Sequence, residues 1–171
     1  MGTDGGSTRN LPFSRRCFVC GEDNPAGLKV RFYTENGLVK TRWRAQPHHC
    51  GYQNVVHGGV TAAVLDECMG WAAARAIGRM CVTGEITVRY LLRVPGDREL
   101  IVAAETVKAS RLLAYVKATL TDGEGTLYAR ADGRFLPISA KETLDVDDAL
   151  VYRGGEERIF DALRAAQKGS S

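Results

Sequence analysis

A chain of 171 residues with a formal net charge of +3 suits one domain that buries a core without disulfide staples. Its basic residues are scattered among acids instead of forming blocks, which argues against nucleic-acid binding, and its most apolar stretch is too polar at its centre for a membrane span. Five cysteines, an odd count, and the lack of a signal-peptide pattern point to a reducing, cytoplasmic setting rather than a disulfide framework.

Residues 1–12 (MGTDGGSTRNLP) have almost no large apolar side chains and read as a disordered leader. Apolar and polar residues then alternate from Leu28 to Tyr33 and from Leu38 to Trp43 around the turn residues Glu35-Asn36-Gly37, which is a hairpin pattern. A loop from Ala45 to Val56 carries Pro47, His48, His49, Cys50 and Gly51 into a long apolar helix that starts at Gly58 and stops near Ile77-Gly78. Arg75 and Arg79 suit the negative end of that helix.

Four stretches rich in β-branched residues follow, at about 81–93, 98–109, 112–121 and 125–137. The turns between them, at Pro95-Gly96-Asp97, Ala109-Ser110 and Asp122-Gly123, are short, so all four are expected to be antiparallel neighbours. The tail, residues 141–171, turns acidic and then sets Ile159, Phe160 and Leu163 at the spacing of a short terminal helix. With no repeat and no alternating βαβ series, the body over residues 13–140 reads as α+β, one antiparallel sheet curled round one helix.

The chemistry concentrates on that helix. Between Gly58 and Ala74 only Asp66 and Glu67 carry charge, and an unpaired buried charge is expensive. His57-Gly58-Gly59 places two residues without Cβ atoms where backbone N–H groups are unsatisfied and the helix dipole is positive, which suits an oxygen that gains negative charge. Asp66 lies about 12 Å further along the same axis at the usual helical rise. One helix cannot bring both groups within about 3 Å of one carbonyl, so a shared substrate requires a second, two-fold-related copy of the chain. Glu67 competes with Asp66 but points about 100° away. A purely structural alternative pairs Asp66 with Arg75 or Arg89.

The segments Cys17-Phe-Val-Cys20-Gly21, Asn24-Pro-Ala-Gly-Leu28, Asn54-Val-Val-His57-Gly58-Gly59, Leu65-Asp66-Glu67, Val88-Arg-Tyr90 and Ala129-Arg-Ala131-x-x-Arg134-Phe135 together resemble the hotdog-fold acyl-CoA thioesterases, in particular the PaaI-like branch and the 4-hydroxybenzoyl-CoA thioesterase type. The resemblance covers roughly residues 17–138. It implies a curved antiparallel sheet wrapped round a central helix, a homodimer with a continuous sheet, often doubled into a homotetramer, and hydrolysis of an acyl-CoA without a cofactor. By the same likeness Asp66 is the catalytic carboxylate, as general base or nucleophile, and the Gly58 N–H polarises the thioester carbonyl. His57 shapes the helix start, Thr83 positions the attacking water, and Asn54, with Gly59 and Glu67, borders the substrate. Arg89 and Arg111, with Arg93, border the groove for the CoA phosphates, to which the arginine fork is suited. After Tyr90 the chain departs from the family, with Leu92-Arg93 before Val94-Pro95 where relatives often place an earlier proline.

Two other functions fit the same fold. A hydratase or dehydratase would use a histidine base, for which His57 is available, and a non-catalytic acyl-CoA binder would bind without turnover. Cys17-x-x-Cys20 with His48-His49-Cys50 has the residue types of a zinc site, but the spacing is only suggestive; the pair reads as packing an N-terminal arm over the helix, and no metal is expected. Cys68 and Cys81 read as small buried apolar residues. Trp71, Met69 and Tyr52 border an acyl pocket or belong to the core, with core favoured.

Overall fold

The computed structural model describes residues 8–169. Its elements in chain order are β1 (Arg9–Asn10), β2 (Phe13–Ser14), β3 (Tyr33–Glu35), β4 (Leu38–Arg44), β5 (Cys50–Tyr52), β6 (Val55–Val56), α1 (Gly58–Ile77), β7 (Cys81–Tyr90), β8 (Glu99–Ala109), β9 (Ala114–Asp122), β10 (Leu127–Pro137), α2 (Ala140–Ala149), β11 (Leu150–Val151) and α3 (Asp161–Lys168). Among the described residues, seven strands form one antiparallel sheet in the order β1-β3-β4-β8-β9-β10-β7. The sheet packs on α1, so the α+β expectation of one sheet round one helix holds.

Alternation along the strands builds the core. Val102 and Ala104 of β8, Ala114, Val116, Ala118 and Leu120 of β9, and Ala129, Ala131 and Phe135 of β10 are all buried. From the helix, Val64, Leu65, Cys68, Met69, Ala72 and Ala73 meet them. α1 stops where expected, with Gly78 in the left-handed region at φ 73° and its N–H on the Ala74 carbonyl. The hairpin turn has Asn36 at φ 52° and Gly37 at φ 79°, the positive pair that a two-residue turn between twisted strands requires.

Four boundaries differ from the sequence expectation. Residues 1–7 of the expected leader lie outside the described residues, whereas Arg9–Asn10 already pair with β3 and Leu11 and Phe13 are buried, because Leu11-Pro12-Phe13 is apolar enough to anchor the arm. Of the first hairpin stretch only Tyr33 pairs with β4, joined by Thr34 and by Glu35 from the expected turn. Leu28 and Val30 instead donate their N–H groups to Phe18 and Val19 of the cysteine loop, with Lys29 at φ 58° between them. β7 and β8 are not neighbours: β7 pairs with β10 at the sheet edge, and the link between them carries Val94 into the core, where its carbonyl accepts from the Val56 N–H. Finally, the tail holds α2 as well as the expected terminal helix, with Ser139 and Glu142 forming a capping box at its start.

The β9–β10 turn is organised by Asp122, whose carboxylate accepts from the Tyr128 hydroxyl at 2.8 Å, the Thr126 and Glu124 N–H groups and the Arg98 guanidinium. Burial opposes its charge, but these donors outweigh burial and hold the carboxyl down to about 2. A depressed folded value means that this stabilisation is present above the unfolded value of about 4 and is lost as pH falls through the folded one. Asp122→Asn is expected to lower the melting temperature at pH 7 and to flatten the loss of stability between about pH 4 and pH 2, measured by thermal melts across that range.

Candidate active site

Asp66 sits on the side of α1 turned away from most of the sheet. Its Oδ1 accepts from the Thr83 hydroxyl at 2.8 Å. That contact depends on a β-bulge. Phe135 stands opposite Thr83 and Gly133 opposite Ile86, with the register shifting between Arg134 and Phe135. Strict alternation would set Thr83 and Ile86 on opposite faces, and the extra residue lets both turn toward the helix. Burial raises the Asp66 carboxyl above its ordinary range, and the Thr83 hydrogen bond opposes that rise.

The two carboxylates and Thr83 open on one cavity of about 280 Å³, walled also by Cys17, Trp71, Cys81, Phe135, Val146 and Leu150. Val146 and Leu150 come from α2 and β11, so the C-terminal extension forms part of the wall. Arg75 is not the partner of Asp66; its Nε sits 2.9 and 3.0 Å from the two carboxylate oxygens of Glu157. Arg89 stands exposed on β7 opposite Arg130 and makes no contact with Asp66.

Glu67 faces a different group. The Cys20 thiol donates to its Oε1 at 3.1 Å, and the Cys17 Sγ lies 3.5 Å from the same oxygen. The Val19 and Cys20 N–H groups donate to the Cys17 sulfur at 3.3 and 3.4 Å. Burial, with Cys17 alongside, pushes the Glu67 carboxyl up to about 7. The Cys20 thiol and the two N–H groups draw Cys17 down to about 5, while its bond to Cys17 and its burial push Cys20 up. The histidines that a zinc set with the cysteines would need lie elsewhere: His49 is buried next to Trp43, and its Nδ1 accepts from the Gln46 N–H. Glu67 is thus the companion that the cysteine motif had on the helix, a contact across 47 and 50 residues that spacing does not reveal.

At the other end of α1, His57 is the N-cap, its Nδ1 accepting from the Gly59 N–H at 3.0 Å. Gly59 therefore offers no free donor to a ligand, whereas the Gly58 N–H has no partner among the described residues. The Tyr90 hydroxyl donates to the Gly58 carbonyl at 2.5 Å and fixes the helix start to β7. Asn54, at φ 56°, belongs to the preceding loop; its carbonyl accepts from Gly96, and the cleft it lines with Tyr52 is separate from the Asp66 cavity of the same chain. Arg111 is exposed in the β8–β9 turn, without an ion pair among the described residues. Met69 and Trp71 are core residues, although Trp71 also borders the cavity and its Nε1 is buried without a hydrogen-bond partner. Tyr52 is 82% exposed.

Residues 53–129 match the sequence profile of the Thioesterase superfamily. A solved thioesterase superfamily protein superposes with a TM-score of 0.66 at 23% identity, covering 71% of this chain and 60% of its own, so the present chain spans under two thirds of that relative. The fold is the hotdog fold of the thioesterase superfamily. The hotdog domain also superposes on the PaaI protein of the phenylacetic acid degradation operon of E. coli, with a TM-score of 0.61, 15% identity and coverage of 68% and 87%. A Streptococcus mutans protein solved bound to acetyl CoA gives 0.59, 20%, 64% and 89%. No protein of curated function matches. The Cys17–Leu28 segment precedes the matched profile.

Two glycines separate packing from chemistry. A Cβ at Gly21 would lie 2.4 Å from the Cys17 carbonyl oxygen and 2.6 Å from that of Arg15, whereas at Gly58 the nearest atom is the Tyr90 hydroxyl at 3.5 Å. Gly21→Ala is expected to cost roughly 1–3 kcal/mol in urea unfolding, and Gly58→Ala under about 1 kcal/mol.

Proposed function

We propose that the protein is an acyl-CoA thioesterase that hydrolyses its substrate at sites shared between two copies of the chain. The carrying observation is Asp66, a partly buried carboxylate held by the Thr83 hydroxyl and opening on a cavity, on the same helix as an unbonded Gly58 N–H. Asp66 as general base takes a proton from water, and the resulting hydroxide oxygen adds to the thioester carbon. Charge builds on the carbonyl oxygen, where the Gly58 N–H and the helix dipole stabilise it. Collapse breaks the C–S bond, and the CoA sulfur leaves with a proton, giving the free acid and CoA. The Thr83 hydroxyl orients the carboxylate. His57 serves as the cap that shapes the helix start, so its Nδ1 is engaged and unsuited to the base of a hydratase.

Two features support the shared site. β7 is ten residues long and has a free edge, with Val82 and Tyr90 exposed along it, and such edges recruit another strand. α1 is apolar on nearly every face, yet Ala62, Ala63, Asp66 and Gly70 remain only partly buried. A helix apolar all round calls for cover on every side, and small residues let a second copy approach. Two-fold pairing of β7 would bring Gly58 and Asn54 of one copy toward Asp66 of the other. Arg89 and Arg111, free of ion pairs among the described residues, then remain for the CoA phosphates. The acetyl CoA held by the Streptococcus mutans relative supports a CoA thioester as ligand.

Thiol release from a series of acyl-CoAs is the test. The wild type is expected to cleave at least one class, and Asp66→Asn to lower kcat by about 10²–10⁴-fold with an unchanged melting curve. Mixing Asp66→Asn with Gly58→Val chains after unfolding and refolding should restore roughly a quarter of wild-type activity, since half the dimers then hold one intact site. No recovery on mixing would overturn the shared site.

A further inference from the structure

We propose that Cys17, Cys20 and Glu67 form a binding site for one divalent metal ion of the zinc type, with water from the adjoining cavity as its fourth ligand. The inference does not rest on thioester hydrolysis. Its basis is that three side chains of metal-ligand type, from two distant parts of the chain, hold their donor atoms within 4.8 Å of one another.

The spacing fits a tetrahedron. With Zn–S about 2.3 Å and Zn–O about 2.1 Å, an S···O edge is roughly 3.6 Å and an S···S edge roughly 3.8 Å. The observed Sγ···Oε1 edges are 3.1 and 3.5 Å. Thiolates favour zinc over magnesium or calcium, and a carboxylate completes such sets.

The surrounding backbone is arranged as it would be around a ligated sulfur. Two N–H groups point at Cys17 Sγ, and Gly21, whose N–H donates to the Cys17 carbonyl at 2.9 Å, closes the loop with no room for a Cβ. The Lys29 ammonium donates to the carbonyls of Gly21, Glu22 and Asn24, and Arg31 to that of Cys20. The Cys17–Gly21 loop is therefore held in shape by Lys29 and Arg31 without use of the sulfurs, as the groups that orient metal ligands commonly do. Cys17 and Glu67 both line the cavity, so solvent reaches the place where a three-ligand ion keeps an open position. His48, His49 and Cys50 take no part.

The full chain, produced with zinc in the medium and purified under reductant, should carry about one zinc per chain by elemental analysis. After zinc is removed by a chelator, cobalt(II) should give an intense thiolate charge-transfer absorption. Cys17→Ser and Glu67→Gln should each weaken zinc binding by more than the roughly 10–100-fold typical of losing a group that only orients a ligand. Only Cys17→Ser should strongly diminish the charge-transfer band. Cys81→Ser, which removes a cavity thiol outside the trio, should leave both readouts unchanged. Melting curves of the metal-free variants are the check that the chain still folds. Zinc well below one per chain, no cobalt band, equal affinity in wild type and Cys17→Ser, or a Cys17–Cys20 disulfide in protein kept under reductant would each overturn the proposal.

Discussion

Everything in this molecule is arranged around a helix that is apolar on nearly all sides and yet carries two adjacent carboxylates at its middle. Removing an ion from water costs several kcal/mol even after relaxation, so each acid needs its own donor. Asp66 receives the Thr83 hydroxyl and Glu67 the Cys20 thiol. The roughly 100° between consecutive helical residues forces these two environments apart: one acid meets the edge strand and the other the N-terminal loop.

Covering such a helix takes both ends of the chain. The sheet buries Val64, Leu65, Cys68 and Met69, while the cysteine loop and the C-terminal extension close over the Glu67 side. These two covers are tied to each other. β2 pairs with β11, Glu22 takes both Arg31 and Arg153, and both guanidinium groups lie over the Phe13 ring. Within the C-terminal extension Phe160 is 1% exposed, and Asp147 accepts from Tyr152 and Arg164. The tail that composition would set aside therefore finishes the wall of the cavity through Val146 and Leu150, beside Ser14 and Cys17 of the N-terminal arm.

What could be read from the sequence was local. The HGG start, the Gly78 stop, the Asn36-Gly37 turn and the β8–β9–β10 meander follow from propensity, capping and short connections, and they appear in the structure nearly as read. What escaped was non-local. Alternation shows that 81–90 is a strand but not that β10 is its partner, because a short link to β8 suggests adjacency that Val94 forbids by turning into the core. The Cys17-x-x-Cys20 motif is visible in the sequence, but spacing offers only the distant His48-His49-Cys50 as companions, and Glu67 reads there as a rival of Asp66 and a neighbour of the substrate. Tyr90 belongs to the segment Val88-Arg-Tyr90 that carries the family resemblance, and its bond to the Gly58 carbonyl spans 32 residues that no local pattern links. The Ser139-x-x-Glu142 box was available and marks the start of α2.

The edge strand β7 has an unusual distribution of duties. Its first half holds the carboxylate of α1 through Thr83, and its last residue holds the start of α1 through Tyr90. The Gly84 bulge between them sets the two halves in different frames relative to β10. Inserting or deleting one residue in this strand would consequently leave one end of the helix anchored and swing the other outward. The length of β7 is thus a ruler for the helix it faces, set by the distance between the Thr83 and Tyr90 side chains that grip it.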